Sequence, residues 1–440
     1  MRRRGLSELD RRIVALALPA LGSLVVEPLY NLTDTAIVGH LGRAQLGGLA
    51  LATTVLNLIG WCAAFIEMAT TSHVAYNRGR DDQVAVSGAA AAAYAIAVVL
   101  GILLGVVVFA TGPWIAHVLG GHGAIQHNAT TYLRISAIGL PFLLLDMAGT
   151  GHSQGFEDAR TPLRILLLSN VVNVVLEVVF VYGAHLGVAG SAWGTVVAQI
   201  VAAGCFVAAS LRRNSAPFRL PSTVALIGLL RDGFSLVVRT AALTAALVLS
   251  TSLAAHIGAR TLGAHQITLQ VWLLFALTVD ALALPAQVYV GTALGRGDVD
   301  AAVEVGRRCL RIGTGLGFGI GVAIAAAAEW LPYLFTADLG IRHTATIGLL
   351  LCAALQPVAA IAFVLDGLLL GAADFATLRR GMLLALVAFA PFAILTSVHH
   401  TLGIVGIWLA LTCWLAARSW YLGLRWQSRA WARQHRILTP

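Results

Sequence analysis

GFEDARTPLR (residues 155–164) and GAADFATLRR (residues 371–380) carry Gly, Asp, Thr and Arg at the same four places. Gly155/Gly371, Asp158/Asp374, Thr161/Thr377 and Arg164/Arg380 set a register of 216 residues (155 to 371). The register extends outward. Pro141/Pro357, His40/His256, Gly42/Gly258, Leu46/Leu262 and Gly47/Gly263 share it, as do Gly79/Gly295, Arg80/Arg296 and Asp82/Asp298. So do Trp114/Trp330, Leu186/Leu402, Gly187/Gly403 and Gly190/Gly406. Single glycine matches arise by chance in such a chain, but one offset held across five separate loops points to an internal duplication.

Between these loops lies almost nothing but apolar sequence. The chain has 440 residues, 58% hydrophobic and 11% charged, with a mean hydropathy of +0.84. A soluble domain carries about 25% charged residues. Runs of about 20 apolar residues cross a bilayer as helices, and twelve are expected, at roughly 13–39, 46–76, 86–112, 130–153, 163–183, 187–211, 227–256, 262–293, 309–335, 344–371, 381–399 and 403–424. The fold class is therefore all-α integral membrane: twelve transmembrane helices in two pseudo-symmetric six-helix lobes. The expected division is an N-lobe at 1–212, a linker at 213–225 within the stretch RRNSAPFRLPS, and a C-lobe at 226–440. Six is even, so the two repeats run parallel about an axis along the membrane normal, and such lobes commonly rock about a central site.

The net charge of +9 reflects topology rather than nucleic-acid binding. Arginines cluster in alternate loops (Arg2–Arg4, Arg78/Arg80, Arg160/Arg164, Arg212/Arg213, Arg307/Arg308, Arg379/Arg380), and the opposite loops hold little beyond Arg43, Arg260 and Arg342. The positive-inside rule then places both termini in the cytoplasm of a multi-pass plasma-membrane protein. All 29 basic residues are arginine. Without lysine there is no phosphate-binding GxxxxGK[ST] loop and no Schiff base, so an ion gradient is the expected energy source. Five scattered cysteines and thirteen histidines form neither a CxxC pair nor an HExxH motif, so no disulfide, metal or resident cofactor is expected.

Seven acids lie within the spans: Glu27, Asp34, Glu67, Asp146, Glu177, Asp280 and Asp366. None has an arginine three or four residues away, so each is expected to face a cavity or another acid. Asn170, Asn173 and Glu177 share one helix face. An amide and a carboxylate there suit an ion site or a proton relay. Glu27, Glu67 and Asp146 are the three for which a structural polar role is the nearest rival. Arg239, eight residues past Arg231, is read as reaching back to the cytoplasmic surface with its long stem.

EPLYNLTDTAIVGHLG (27–42), GFEDARTPLR, NVVNVVLEVVFVYG with LGVAGSAWGTVVAQ (170–199), and FVLDGLLLGAADF (363–375) together resemble the multidrug and toxic compound extrusion (MATE) family, most closely its DinF-like branch. The likeness covers nearly the whole chain. It implies an antiporter with V-shaped lobes, coupled to H+ or Na+, that exports amphipathic, cationic organic compounds as a monomer in membrane lipid. It further implies that Asp34, Asn173, Glu177 and Thr195 form the cation-coupling site. Tyr132, Pro19, Asp280 and Asp366 are then expected to serve substrate or gating. Glu177 departs from the family's usual Asp. The extra methylene suits a proton relay better than a tight sodium cage. The alternative is a lipid or lipid-linked flippase, which would require a cationic central groove. An enzyme would need a paired-acid metal motif or a nucleophile with its base, and the spans contain neither.

Overall fold

The computed structural model describes residues 7–214, 216–217 and 221–432; the side chain of Glu27 also lies outside the described set. The described residues form helices without strands. In order they are α1 (Glu8–Gly39), α2 (Arg43–Ala63), α3 (Phe65–Gly79), α4 (Gln83–Val118), α5 (Gly123–Gly155), α6 (Arg160–Val178) and α7 (Val188–Arg213). They continue as α8 (Thr223–Ile257), α9 (Ala259–Asp280), α10 (Ala283–Gly295), α11 (Val299–Ala327), α12 (Leu339–Gly371), α13 (Phe375–Val398) and α14 (Gly403–Gln427). Twelve stretches are long and apolar enough to cross a membrane, because α2–α3 and α9–α10 each form one broken span. The breaks fall at Ala64 and at Ala281–Leu282, almost the same place in the repeat.

Several helices are longer than their apolar runs because polar residues cap and extend them. Asp82 accepts a hydrogen bond from the Ala85 amide at 2.9 Å, and its repeat mate Asp298 accepts one from Ala301 at 2.8 Å. Each thereby satisfies a free donor of a first turn. The repeat is also written in the backbone. Positive φ recurs at Gly42 and Gly258 (132° and 143°), at Asp81 and Gly297 (59° and 75°), and at Glu157 and Ala373 (63° and 48°). It recurs in packing as well. A Cβ on Gly105 of α4 would stand 2.6 Å from the Ala137 carbonyl oxygen, and one on Gly321 of α11 would stand 2.6 Å from that of Ala353. These helices approach so closely that only glycine fits, as in membrane bundles generally.

Two compact units result: Gly22–Gly233, and Met1–Leu21 with Phe234–Pro440. The division cuts through α1 and α8, so each of these helices contributes to both units. Leu49, Val108, Tyr132, Leu133 and Leu140 belong to the core of the first. Trp272, Phe389, Trp408 and Trp414 belong to that of the second.

Candidate functional site

In the Gly22–Gly233 unit, α1, α5, α6 and α7 bring their polar side chains to one buried place. Asp34 is 2% exposed. Its Oδ1 accepts a hydrogen bond from the Ser191 hydroxyl, and its Oδ2 accepts one from the Tyr132 hydroxyl at 3.3 Å. Asn173 donates through Nδ2 to Thr195 Oγ1 at 3.3 Å, and the Tyr30 hydroxyl lies 2.7 Å from the same oxygen. Glu177 is fully buried, and neither carboxyl oxygen has a hydrogen-bond partner among the described residues. The Oδ1 of Asn173 is also unpartnered. Asp34 is the acidic neighbour with which Glu177 interacts. A buried carboxyl lacking donors is costly as a bare anion.

Asp34, Asn173, Glu177 and Thr195, the residues expected at the coupling site, thus form one cluster, and it also takes in Tyr132, which was expected to serve substrate or gating. Two members were missed. Tyr30 is one turn before Asp34 on α1, and Ser191 is one turn before Thr195 on α7, so the four-residue helical spacing was the available signal. Pro19 is not part of the cluster. It lies fifteen residues before Asp34 on the unbroken helix α1, roughly 22 Å along the axis, and groups with the other unit.

Asp280 and Asp366 meet in the second unit, together with basic partners. Asp366 on α12 is 3% exposed, and its Oδ2 accepts from Arg239 of α8 and from Arg418 of α14. Arg239 is 7% exposed and Arg418 1%. This corrects the reading of Arg239 as a residue reaching for the surface: its guanidinium is held inside by a carboxylate on another helix. It also corrects the expectation that the membrane acids lack basic partners, which weighed neighbours along one helix only. Arg418 was overlooked, although a lone arginine within the last span is itself a signal. Asp280, the last residue of α9, is half-buried and interacts with Arg239, Asp366 and Arg418.

Of the remaining acids, Glu67 accepts from Gln154 Nε2 at 2.8 Å, whereas Asp146 keeps an unpartnered Oδ1. No group of three or more His, Cys, Asp or Glu side chains suited to a metal ion occurs among the described residues.

The family profile named MatE matches residues 19–179 and 236–399, once in each half of the repeat. The chain is 31% identical to Protein DETOXIFICATION 44, chloroplastic, of Arabidopsis thaliana, across 96% of this chain and 84% of that one. It is 27% identical to the DNA damage-inducible protein F of Escherichia coli strain K12, across 97% and 94%. A crystal structure of a MATE transporter in the bent conformation superposes with a TM-score of 0.90 at 21% identity, covering 96% of each chain. With a family match over most of its length and the twelve-span fold described above, this chain belongs to the MATE family of multi-pass membrane efflux transporters.

Proposed function

We propose that the protein is a cation-coupled antiporter that expels amphipathic organic compounds across the plasma membrane, with both termini in the cytoplasm and one chain as the working unit. The observation that carries this reading is the Asp34–Glu177 pair, one carboxyl held by two hydroxyls and the other without a hydrogen-bond partner that meets bonding geometry among the described residues. A cation arriving from outside completes the pair. Its departure to the cytoplasm restores the unpaired state, so loading and unloading this site can bias alternating access. A charge crossing 100 mV contributes about 2.3 kcal/mol before any concentration gradient.

A proton is the favoured ion. Tyr30, Tyr132, Ser191 and Thr195 are hydroxyls that can donate as well as accept, and such a network accommodates a proton shared between carboxyls. Sodium would need several oxygens turned inward as acceptors, and the Ser191 and Tyr132 hydroxyls are turned to donate to Asp34. The test is efflux from proteoliposomes under an imposed proton gradient or an imposed sodium gradient. The first is expected to drive efflux and the second to have little effect. A sodium gradient alone supporting full efflux would refute proton coupling.

The cationic cargo implied by the resemblance relied on Asp280 and Asp366 as contacts. Asp366 is already neutralised by two arginines.

A further inference from the structure

Asp34 and Glu177 are not the only buried acids of the Gly22–Gly233 unit. Asp146 of α5 is also buried, and its Oδ1 has no hydrogen-bond partner among the described residues. Neither a cation nor a second acid acts on it. A lone ionisable group at membrane depth calls for a functional reason. Its neighbour is Tyr94 of α4. A Cβ on Gly101 would meet Pro141, and one on Gly105 would meet Ala137, so α4 and α5 run antiparallel in close contact. Counting back from Gly101 to Tyr94 and onward from Pro141 to Asp146 leaves the two within roughly 3 Å of the same depth. Asp146 is the charged group that acts on Tyr94.

A continuous chain of hydrogen bonds leads away from Tyr94. Its hydroxyl lies 2.7 Å from Ser210 Oγ on α7, Ser210 Oγ lies 3.0 Å from His152 Nδ1, and His152 Nε2 lies 3.0 Å from Asn214 Oδ1. The last contact fixes the directions. An amide oxygen only accepts, so in the neutral ring Nε2 carries the proton and Nδ1 accepts from Ser210. Ser210 then accepts from Tyr94, a shorter bond than the 3.4 Å one from Tyr94 to the Phe206 carbonyl. Every donor points towards Asn214. That residue follows the end of α7 and is partly exposed, at the end of the unit that carries Arg78, Arg80, Arg160 and Arg212. Arg213, the cation that acts on His152, is itself held by Asp158. Packing does not require such a chain, because apolar groups of the same shape replace hydrogen-bonded partners at little cost.

We propose that Asp146 is a second proton-binding site, and that Tyr94, Ser210 and His152 form the wire joining it to solvent at the cytoplasmic end. Asp146 holds the proton at rest. In release its proton passes to the Tyr94 oxygen while Tyr94 gives its own to Ser210, Ser210 gives one to Nδ1, and the Nε2 proton leaves to water beside Asn214. One carboxylate remains and one proton has reached water. The hydroxyls then rotate back and the ring exchanges its tautomer through water. Use of this wire as the exit of the coupling proton rests on the efflux reading above, but proton binding and exchange at Asp146 do not.

Infrared spectra of the purified full-length protein in lipid test the site without transport. A neutral carboxyl absorbs apart from carboxylates and amides, so native minus Asp146→Asn is expected to show one such band at neutral pH. On transfer into D2O the band shifts as the proton exchanges. Tyr94→Phe keeps the ring and removes the hydroxyl, and is expected to slow this exchange at least about tenfold. Ser210→Ala breaks the next link and is expected to do the same. A merely structural role predicts the opposite, since loosened packing admits water and speeds exchange. Asp34→Asn should leave band and rate unchanged, so failure of ion coupling and failure of this site give different results. Absence of the band, or exchange at the native rate or faster in both Tyr94→Phe and Ser210→Ala, would overturn the proposal. Proton-driven efflux by Tyr94→Phe is expected to slow with the exchange, and efflux at the native rate would overturn the wire's part in coupling.

Discussion

Ser191 and Tyr30 show what a single hydroxyl does in this bundle. Ser191 gives Asp34 one of its two donors, and Tyr30 ties Thr195 to helix α1. Losing a hydrogen bond to a charged group costs roughly 1.5–3 kcal/mol. Ser191→Ala is therefore expected to slow ion-driven efflux by about tenfold or more. Ser169→Ala, which removes only a bond to the Ala198 carbonyl, should leave it near the native rate. Efflux assays at matched protein content compare the two directly. Glu177→Asp retracts the unpaired carboxyl by one methylene, and it is expected to weaken proton-driven efflux while adding dependence on sodium, measured in the same vesicles. The chemistry of Asp34, Asn173 and Glu177 was legible because carboxylates and amides are rare in apolar helices and their presence calls for a reason, whereas Thr195 came only with the family resemblance. Ser191 and Tyr30 were not, because a hydroxyl can satisfy itself on its own helix and so passes unnoticed.

At the scale of helices, the duplication predicts pairs of equivalent weaknesses. A side chain at Gly105 or Gly321 meets a neighbouring carbonyl at 2.6 Å, so the helices must part. Gly321→Ala is expected to destabilise by about 1–3 kcal/mol. Gly319→Ala, two residues earlier on the same helix α11 with nothing within 4 Å, should be neutral or add up to about 1 kcal/mol through helix propensity. Thermal unfolding of the purified variants distinguishes the two signs. The loop at 155–164 has its own electrostatics. Burial raises the pKa of Asp158, but the Thr161 hydroxyl and amide and the Arg213 guanidinium outweigh it and hold the carboxyl below its ordinary 3.8. A carboxyl lowered by folding stabilises the fold above its unfolded pKa, and that contribution is lost as pH falls through the folded value. The native protein is therefore expected to lose melting temperature more steeply below about pH 4 than Asp158→Asn. The turns at 155–164 and 371–380 were readable because turn chemistry is local. The Arg239–Asp366–Arg418 bridge was not, because it joins α8, α12 and α14, and no spacing within one helix reveals such a contact.

For the whole molecule, twelve spans and two repeats followed from hydropathy and one constant offset, since the bilayer allows few alternatives to apolar helices. The two halves copy each other in backbone and packing but not in charge: Asp34 corresponds to Ser250, and Asp366 to Thr150. One unit therefore carries a carboxyl pair and the other an arginine-bearing group. The coupling of ion entry to efflux is proposed to rest on Asp34. Its most direct test is substrate efflux from proteoliposomes driven by an imposed proton gradient, comparing the native protein with Asp34→Asn. The native protein is expected to expel substrate against its gradient, and Asp34→Asn at most to equilibrate it. Uphill efflux by Asp34→Asn at the native rate would contradict it.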